Sequence, residues 1–182
     1  MKGLVPALFL DRDGVVNREI GYLSVPEQVE FLPGIFELCR SAQARGYKLI
    51  IVTNQAGIAR QLYSEADFHA LMQWMTAQFS QENIRLDGYY YCPHHPEHGI
   101  GPYRKDCSDR KPQPGMMLRA AREHGIDLGQ SIFLGDRCTD IDAGAAAGIG
   151  KLVLLAGTEI TGCGASAYRS VSTFEEVIAL LA

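Results

Sequence analysis

Residues 9–17 read FLDRDGVVN, and the apolar run Leu8-Phe9-Leu10 passes directly into Asp11-Arg12-Asp13-Gly14. Side chains alternate along a strand, so carboxylates two residues apart leave on one face. Like charges that close are unfavourable unless a cation or a proton is shared between them. The pair therefore points to a bound metal, a titrating acid, or both. A carboxylate can attack phosphorus and form an acyl-phosphate, dividing one hard displacement into two easier ones. Asp11 is the candidate nucleophile. Asp13 is the candidate general acid, protonating the leaving oxygen and then taking a proton from the hydrolytic water. Gly14 lets the chain turn away directly afterwards.

Matching groups follow further along. Thr53-Asn54-Gln55 end the run KLIIVT, and Thr53 offers a hydroxyl and nearby N–H groups to phosphate oxygens. Lys111, in DRKPQPG, is the candidate cation balancing Asp11 and the transferring phosphoryl charge. Pro112 and Pro114 would stiffen its placement. Asp136, in GDRCTD, is the natural second carboxylate for a hard divalent ion. Mg²⁺ suits carboxylates plus substrate phosphate, with the Asp13 carbonyl as a further candidate ligand. Asp140 lies one helical turn on and is placed to orient the metal's waters. Singly, each motif has an ordinary explanation: a turn, a solvated lysine, or a helix cap. Together, each at a strand or loop end, they converge.

The elements that must position these groups alternate strand and helix. Apolar runs predict strands at 7–10, 48–53, 87–92, 131–136 and 151–156. Helical patterns cover 34–45, stopped by Gly46, then a segment begun by the near capping box at Ser64, then 114–125, about 139–147, and the C-terminal STFEEVIALLA. Residues 93–113 and 157–170 read as loops. This is an α/β chain with a doubly wound, Rossmann-like parallel sheet, in which ligands collect at the carboxyl ends of the strands. Asp11, Thr53 and Asp136 all fall there.

The totals agree with one domain. The chain has 182 residues, 47% of them hydrophobic and 21% charged, and a net charge of −4. Nucleic-acid binding through bulk charge is not expected, and an anionic substrate would need local cations. No apolar run reaches the length of a membrane span, and the start MKGLVPALFL does not read as a signal peptide. A cytoplasmic monomer is expected. The five cysteines, 39, 92, 107, 138 and 163, are odd in number, and reduced thiols are expected at Cys39 and Cys138. Cys163 has no evident partner.

These residues resemble the haloacid dehalogenase (HAD) superfamily of aspartyl-phosphate phosphatases: D-x-D-G at 11–14, Thr53, Lys111 and G-D-x-x-x-D at 135–140. The match covers nearly the whole chain, residues 1–182 as one HAD-like domain, without room for a large cap. It is closest to the D-glycero-D-manno-heptose 1,7-bisphosphate 7-phosphatases, with the histidinol-phosphate phosphatases next. The stretches FLDRDGVVN, GYLSVPEQVEFLPG, VTNQAGIAR, YYCPHHP and DRKPQPGM carry it. The resemblance implies Mg²⁺ held by Asp11, Asp13 through its carbonyl, and Asp136. It implies phosphate handling by Thr53, Asn54 and Lys111, with Gln55 beside them. It implies substrate recognition by Arg110, by the segment Glu19 to Tyr22, and by Arg137, which stands where the heptose enzymes commonly have Lys and so changes the charge's geometry. The implied substrate is a small phosphorylated sugar, and the product feeds the heptose of lipopolysaccharide or surface-layer glycans.

Residues 92–109 resemble that family's zinc loop, C-x-H, a spacer, then C-x-C. Cys92, His94 and Cys107 fall in place, but the fourth position is Asp109. Structural Zn²⁺ strongly favours sulfur and nitrogen. Asp109 completes the site, or His95 or His98 substitutes, or the loop holds no metal. A zinc here would be structural, folding the loop and delivering Arg110 and Lys111. From another functional class, a receiver-like phospho-acceptor would share the acidic rim, threonine and lysine. An acid/base at Asp13 argues for turnover instead.

Overall fold

The strand that leads to Asp11, β1 (Ala7–Leu10), lies inside a parallel six-stranded sheet. The structure is a computed structural model and is described for residues 3–156, 163–165 and 167–181. After β1 come α1 (Ile35–Ala44), β2 (Lys48–Asn54), the single turn α2 (Ala56–Ala59), α3 (Glu65–Gln81) and β3 (Gly88–Cys92). Then follow α4 (Gly115–His124), β4 (Ile132–Gly135), α5 (Cys138–Ala147), β5 (Lys151–Leu155), β6 (Arg169–Val171) and α6 (Phe174–Ile178). The spatial order is β3-β2-β1-β4-β5-β6.

The strand alternation builds two apolar layers. Leu8, Leu10, Leu49, Ile51 and Leu134 face α1, α3 and α6, packing on Leu38, Phe68, Met72 and Val177. Ala7, Phe9, Ile50, Val52 and Phe133 face α4 and α5, packing on Met116, Met117 and Ile141. Strands covered on both faces must read as continuous apolar runs, as KLIIV and ALFL do. Trp74 is a packing residue, stacked on Phe31 with centroids 6.2 Å apart.

The helix ends follow local chemistry. Asp67 N–H donates to Ser64 Oγ at 3.1 Å and Ser64 N–H to Asp67 Oδ2 at 2.9 Å, closing the capping box before α3. Thr173 and Glu176 form another before α6, which is only five residues long. The edge strand β6 begins inside the stretch expected as loop and runs one residue past it. Residues 157–162 and 166 of that stretch lie outside the described residues.

The chain leaves β1 for β2 and β3 on one side, then returns to build β4, β5 and β6 on the other. β1 and β4 are paired neighbours, so the winding reverses between them. That reversal opens a crevice at the carboxyl ends of these two strands. Asp11 and Asp136 are the first residues beyond their ends.

Candidate active site

β1 stops at Leu10, so Asp11 and Asp13 sit in the turn beyond it rather than within the strand. Asp11 N–H still donates to Leu134 O at 3.0 Å, carrying strand geometry one residue further. Alternation then sends Arg12 inward. Its side chain is 1% exposed, and its guanidinium lies 5.7 Å from the Phe68 ring centroid. Asp11 and Asp13 both line one small pocket of about 70 Å³, with Glu19, Thr53, Asn54, Lys111, Arg137, Thr139 and Asp140.

Lys111 is the hub of this pocket. Its Nζ donates to Asp11 Oδ1 at 2.7 Å and to Val52 O at 3.0 Å, and meets Asp140 Oδ1 at 2.7 Å. The three donors of the buried ammonium thus have three acceptors. Burial alone would lower the lysine pKa, but Asp11 and Asp140 outweigh it and the ammonium is held charged. The loop reaches this position because Asn54 clasps its backbone. Asn54 Nδ2 donates to Lys111 O at 3.1 Å, and Lys111 N–H to Asn54 Oδ1 at 3.0 Å. The Asn54 amide therefore serves lysine placement as well as lining the pocket.

Asp140 has its other oxygen engaged too, accepting from Asp136 N–H and Arg137 N–H, each at 3.1 Å. It fastens the start of α5 to Lys111. Asp11, Asp136 and Asp140 each offer an oxygen within 4.8 Å of one another. Burial raises the Asp11 pKa well above the usual carboxylate range. Asp140 and Asp136 push it the same way, against Lys111. Burial and Asp140 also raise Asp136. Asp136 Oδ1 is buried with no hydrogen-bond partner. An orphaned buried carboxylate oxygen facing further carboxylates is a donor set for a hard divalent cation, and Mg²⁺ fits it. Gly14 makes the approach possible: its φ is +90°, and a Cβ there would come within 2.0 Å of Asp136 Oδ2.

Asp13 is held by donors on three sides. Arg12 Nε and Nη2 reach its Oδ1 at 3.1 and 3.0 Å, and Nη2 reaches Oδ2 at 2.9 Å. Asn17 Nδ2 adds a bond at 3.1 Å and Gln55 Nε2 one at 3.3 Å. Gln55 Nε2 also donates to Thr53 Oγ1 at 2.8 Å, and Tyr63 O–H donates to Gln55 Oε1. Burial raises the Tyr63 pKa to about 12, so its hydroxyl stays a donor. The roles of Arg12, Asn17 and Tyr63 were not read from the sequence. Tyr63 sits in a turn between helices, where no periodicity marks it.

A wider cleft of about 380 Å³ adjoins the small pocket, lined by Asp13, Glu19, Tyr22, Gln55, Tyr63 and Arg137 among others. Arg137 Nη2 and Glu19 Oε2 pair at 3.0 Å across its mouth. Tyr22 is exposed, with Arg60 6.0 Å from its ring centroid. Arg110 lines a different cavity, beside Lys111 and Cys107. It donates through Nη1 to His94 O at 3.1 Å.

Cys92, His94 and Cys107 come together, with Sγ and ring-nitrogen atoms within 4.8 Å of one another. Burial pushes the Cys92 thiol up to about 12. Asp109 Oδ2 pairs with Arg119 Nη1 at 2.8 Å, across to α4, and Asp109 is not among the residues whose ligand atoms gather there. Nor do the substitutes move in. His95 Nδ1 accepts from Glu97 N–H and His98 N–H, so that ring is used within its own turn. A correction concerns the thiols. Cys138 and Cys163 form a disulfide, while Cys39, Cys92 and Cys107 are free. Cys39 has no disulfide partner, whereas Cys138 is bonded to Cys163; beside that bond Ala165 N–H donates to Asp142 Oδ1 of α5 at 2.9 Å.

A HAD-hydrolase-like family model matches residues 108–168. The chain is 48% identical over 175 residues to the D-glycero-alpha-D-manno-heptose-1,7-bisphosphate 7-phosphatase of Burkholderia mallei, covering 96% of this chain and 93% of that one. It is 47% identical to the D-glycero-beta-D-manno-heptose-1,7-bisphosphate 7-phosphatase of Vibrio cholerae, covering 86% and 84%. The solved D,D-heptose 1,7-bisphosphate phosphatase from B. bronchiseptica, complexed with magnesium and phosphate, superposes with a TM-score of 0.81. That match has 28% identity and covers 97% of this chain and 98% of that one.

Proposed function

The chain belongs to the heptose-1,7-bisphosphate 7-phosphatases of the HAD superfamily, and from that membership we propose that it removes the 7-phosphate of D-glycero-D-manno-heptose 1,7-bisphosphate as a Mg²⁺-dependent phosphomonoesterase. The observation that carries the reading is the buried group of Asp11, Asp136, Asp140 and Lys111, with Asp13 beside it.

Asp11 Oδ1 is engaged by Lys111 Nζ and by Arg12 N–H at 2.9 Å, so Oδ2 is the attacking oxygen. It forms a bond to phosphorus as the phosphorus–sugar oxygen bond breaks. Asp13 supplies the proton to the departing sugar oxygen. In the second half, Asp13 takes a proton from water, the water oxygen bonds to phosphorus, and Asp11 leaves as carboxylate. Thr53, Lys111 and backbone N–H groups hold the phosphoryl oxygens. Asp11, the Asp13 carbonyl and Asp136 would hold Mg²⁺, which would neutralise charge shared between nucleophile and phosphate. Arg137, Glu19 and Tyr22 line the cleft that receives the sugar.

Zn²⁺ is assigned to Cys92, His94 and Cys107, without Asp109. Its role is structural. The Arg110–His94 bond joins the thiolate cluster to the segment that ends in Lys111, so ordering the cluster orders the lysine.

The test is turnover of the heptose bisphosphate by purified protein with Mg²⁺, followed by ³¹P NMR, with histidinol phosphate as the competing substrate. Loss of the 7-phosphate signal with the 1-phosphate retained is expected, and Asp11→Asn abolishes it. Faster turnover of histidinol phosphate, or full activity in Asp11→Asn, overturns the reading.

A further inference from the structure

The disulfide between Cys138 and Cys163 spans 25 residues with Cα atoms 4.9 Å apart, and no catalytic step above uses it. Cys138 is the first residue of α5, between Arg137 and Thr139. Both of those neighbours line the small pocket that holds Asp11, Asp13 and Lys111. The bond therefore ties the chain beyond β5 to the wall of the phosphate pocket. A second tie lies one turn along, where Ala165 N–H donates to Asp142 Oδ1 at 2.9 Å. Both cysteines are half-buried, within reach of a small reagent. Cys39 is buried, and Cys92 and Cys107 belong to the candidate zinc site with His94.

We propose that Cys138–Cys163 is a reversible thiol–disulfide modification site, exchanged by small-molecule dithiols, whose oxidised state fixes the Arg137–Thr139 wall of the phosphate pocket. The inference rests on reading that pocket as the phosphatase site. In reduction, a thiolate of the dithiol bonds to Sγ of Cys163 and the protein S–S bond breaks. The electron pair goes to Sγ of Cys138, which takes a proton. The dithiol's second sulfur then attacks the mixed disulfide, closing its own ring and releasing Cys163 as a thiol. Two electrons and two protons pass to the protein, and a small disulfide reverses the exchange.

The structure separates what this changes from what it leaves. Asp140 Oδ2 fastens the N–H groups of Asp136 and Arg137 by hydrogen bonds that do not involve the disulfide, so the metal end of α5 is expected to stay in place on reduction. The outer wall loses its covalent anchor. Reduction therefore acts on substrate affinity rather than on the chemical step.

The experiment compares native enzyme oxidised with glutathione disulfide against the same enzyme reduced by dithiothreitol, with bound zinc measured in both. Alkylation and mass spectrometry are expected to show the Cys138 and Cys163 peptides cross-linked in the first and both alkylated in the second, with the cross-link returning on re-oxidation. On reduction, KM for the heptose bisphosphate rises about three- to tenfold, the scale of one weakened charge-assisted contact, with kcat within about twofold. The Cys163→Ser variant has the reduced enzyme's KM under both conditions. Inorganic phosphate with Mg²⁺, titrated calorimetrically, weakens by the same factor, and this decides the inference even if the heptose bisphosphate is not turned over. Peptides that never cross-link, or a phosphate affinity equal in both forms, overturn it.

Discussion

Replacing Asp136 with Asn should make the metal-free protein more stable while removing its activity. Asp11 and Asp136 offer oxygens within 4.8 Å of each other and of Asp140. At an effective dielectric of 20, two unit charges at such a separation repel by about 3 kcal/mol. The real penalty is smaller, because burial and neighbouring carboxylates raise both pKa values from 3.8 and part of the charge is removed by protonation. A gain of about 1–2 kcal/mol remains, which for a chain of this size is roughly 2–8 °C in Tm. The pH dependence has a defined sign. A carboxyl whose folded pKa is raised binds more protons folded than unfolded, so it favours the fold at low pH. That contribution is lost as pH rises from the unfolded value through the folded one. Wild-type Tm in EDTA should therefore fall with pH above about 4, and Asp136→Asn should flatten the fall. Added Mg²⁺ should raise wild-type Tm and leave the variant almost unmoved. The assay is differential scanning fluorimetry across pH, with and without Mg²⁺, beside kcat. An EDTA Tm equal to or below wild type would refute stored repulsion. Full Mg²⁺ stabilisation of the variant would refute Asp136 as a ligand.

Asp13→Asn should lower kcat by about 10²- to 10⁴-fold with little change in KM, read by steady-state and single-turnover kinetics. Tyr63→Phe removes the hydroxyl that orients Gln55 and should lower kcat about fivefold, the scale of one hydrogen bond, leaving Tm within a few degrees. Asp109→Ala should leave zinc affinity within about twofold, whereas Asp109→Cys should tighten it by about tenfold or more, measured by competition with a chromophoric chelator. A large loss of zinc in Asp109→Ala would restore that carboxylate as a ligand.

Where chemistry and local structure coincide, the sequence was readable. Asp11, Thr53 and Asp136 stand at the ends of apolar runs, and strand ends in a parallel sheet converge whatever the intervening loops do. Asp13 was legible by its spacing from Asp11, but not Arg12 between them. An arginine at a strand end is ordinarily solvated, and only the tertiary fold shows Phe68 beneath it and Asp13 closing its fork. The departure at Asp109 was visible as a residue type. Its partner was not, because Arg119 lies on α4 and the pair depends on how the loop meets that helix. The edge strand β6 has three residues and one buried side chain, too little pattern to read. The Cys138–Cys163 bond joins residues 25 apart across an edge of the fold, and an odd cysteine count does not indicate which thiols meet.

The charges of the site separate into two kinds. Arg12 donates to both oxygens of Asp13, which fixes that carboxyl in place beside the small pocket. The second group is Asp11, Asp136 and Asp140 against Lys111 alone. Three carboxylates against one ammonium leave an excess of two negative charges when all are ionised. Asp140 spends both oxygens on Lys111 and on the N–H groups that begin α5, so the excess falls on Asp11 and Asp136. A divalent cation cancels it, and a proton shared between the two cancels half. On the proposed mechanism the attacking carboxyl is the one whose ionisation depends on the cation, so metal binding would arm it. By the same reasoning the acidic pair should cost the metal-free fold stability, because Lys111 is already committed to Asp11 and Asp140.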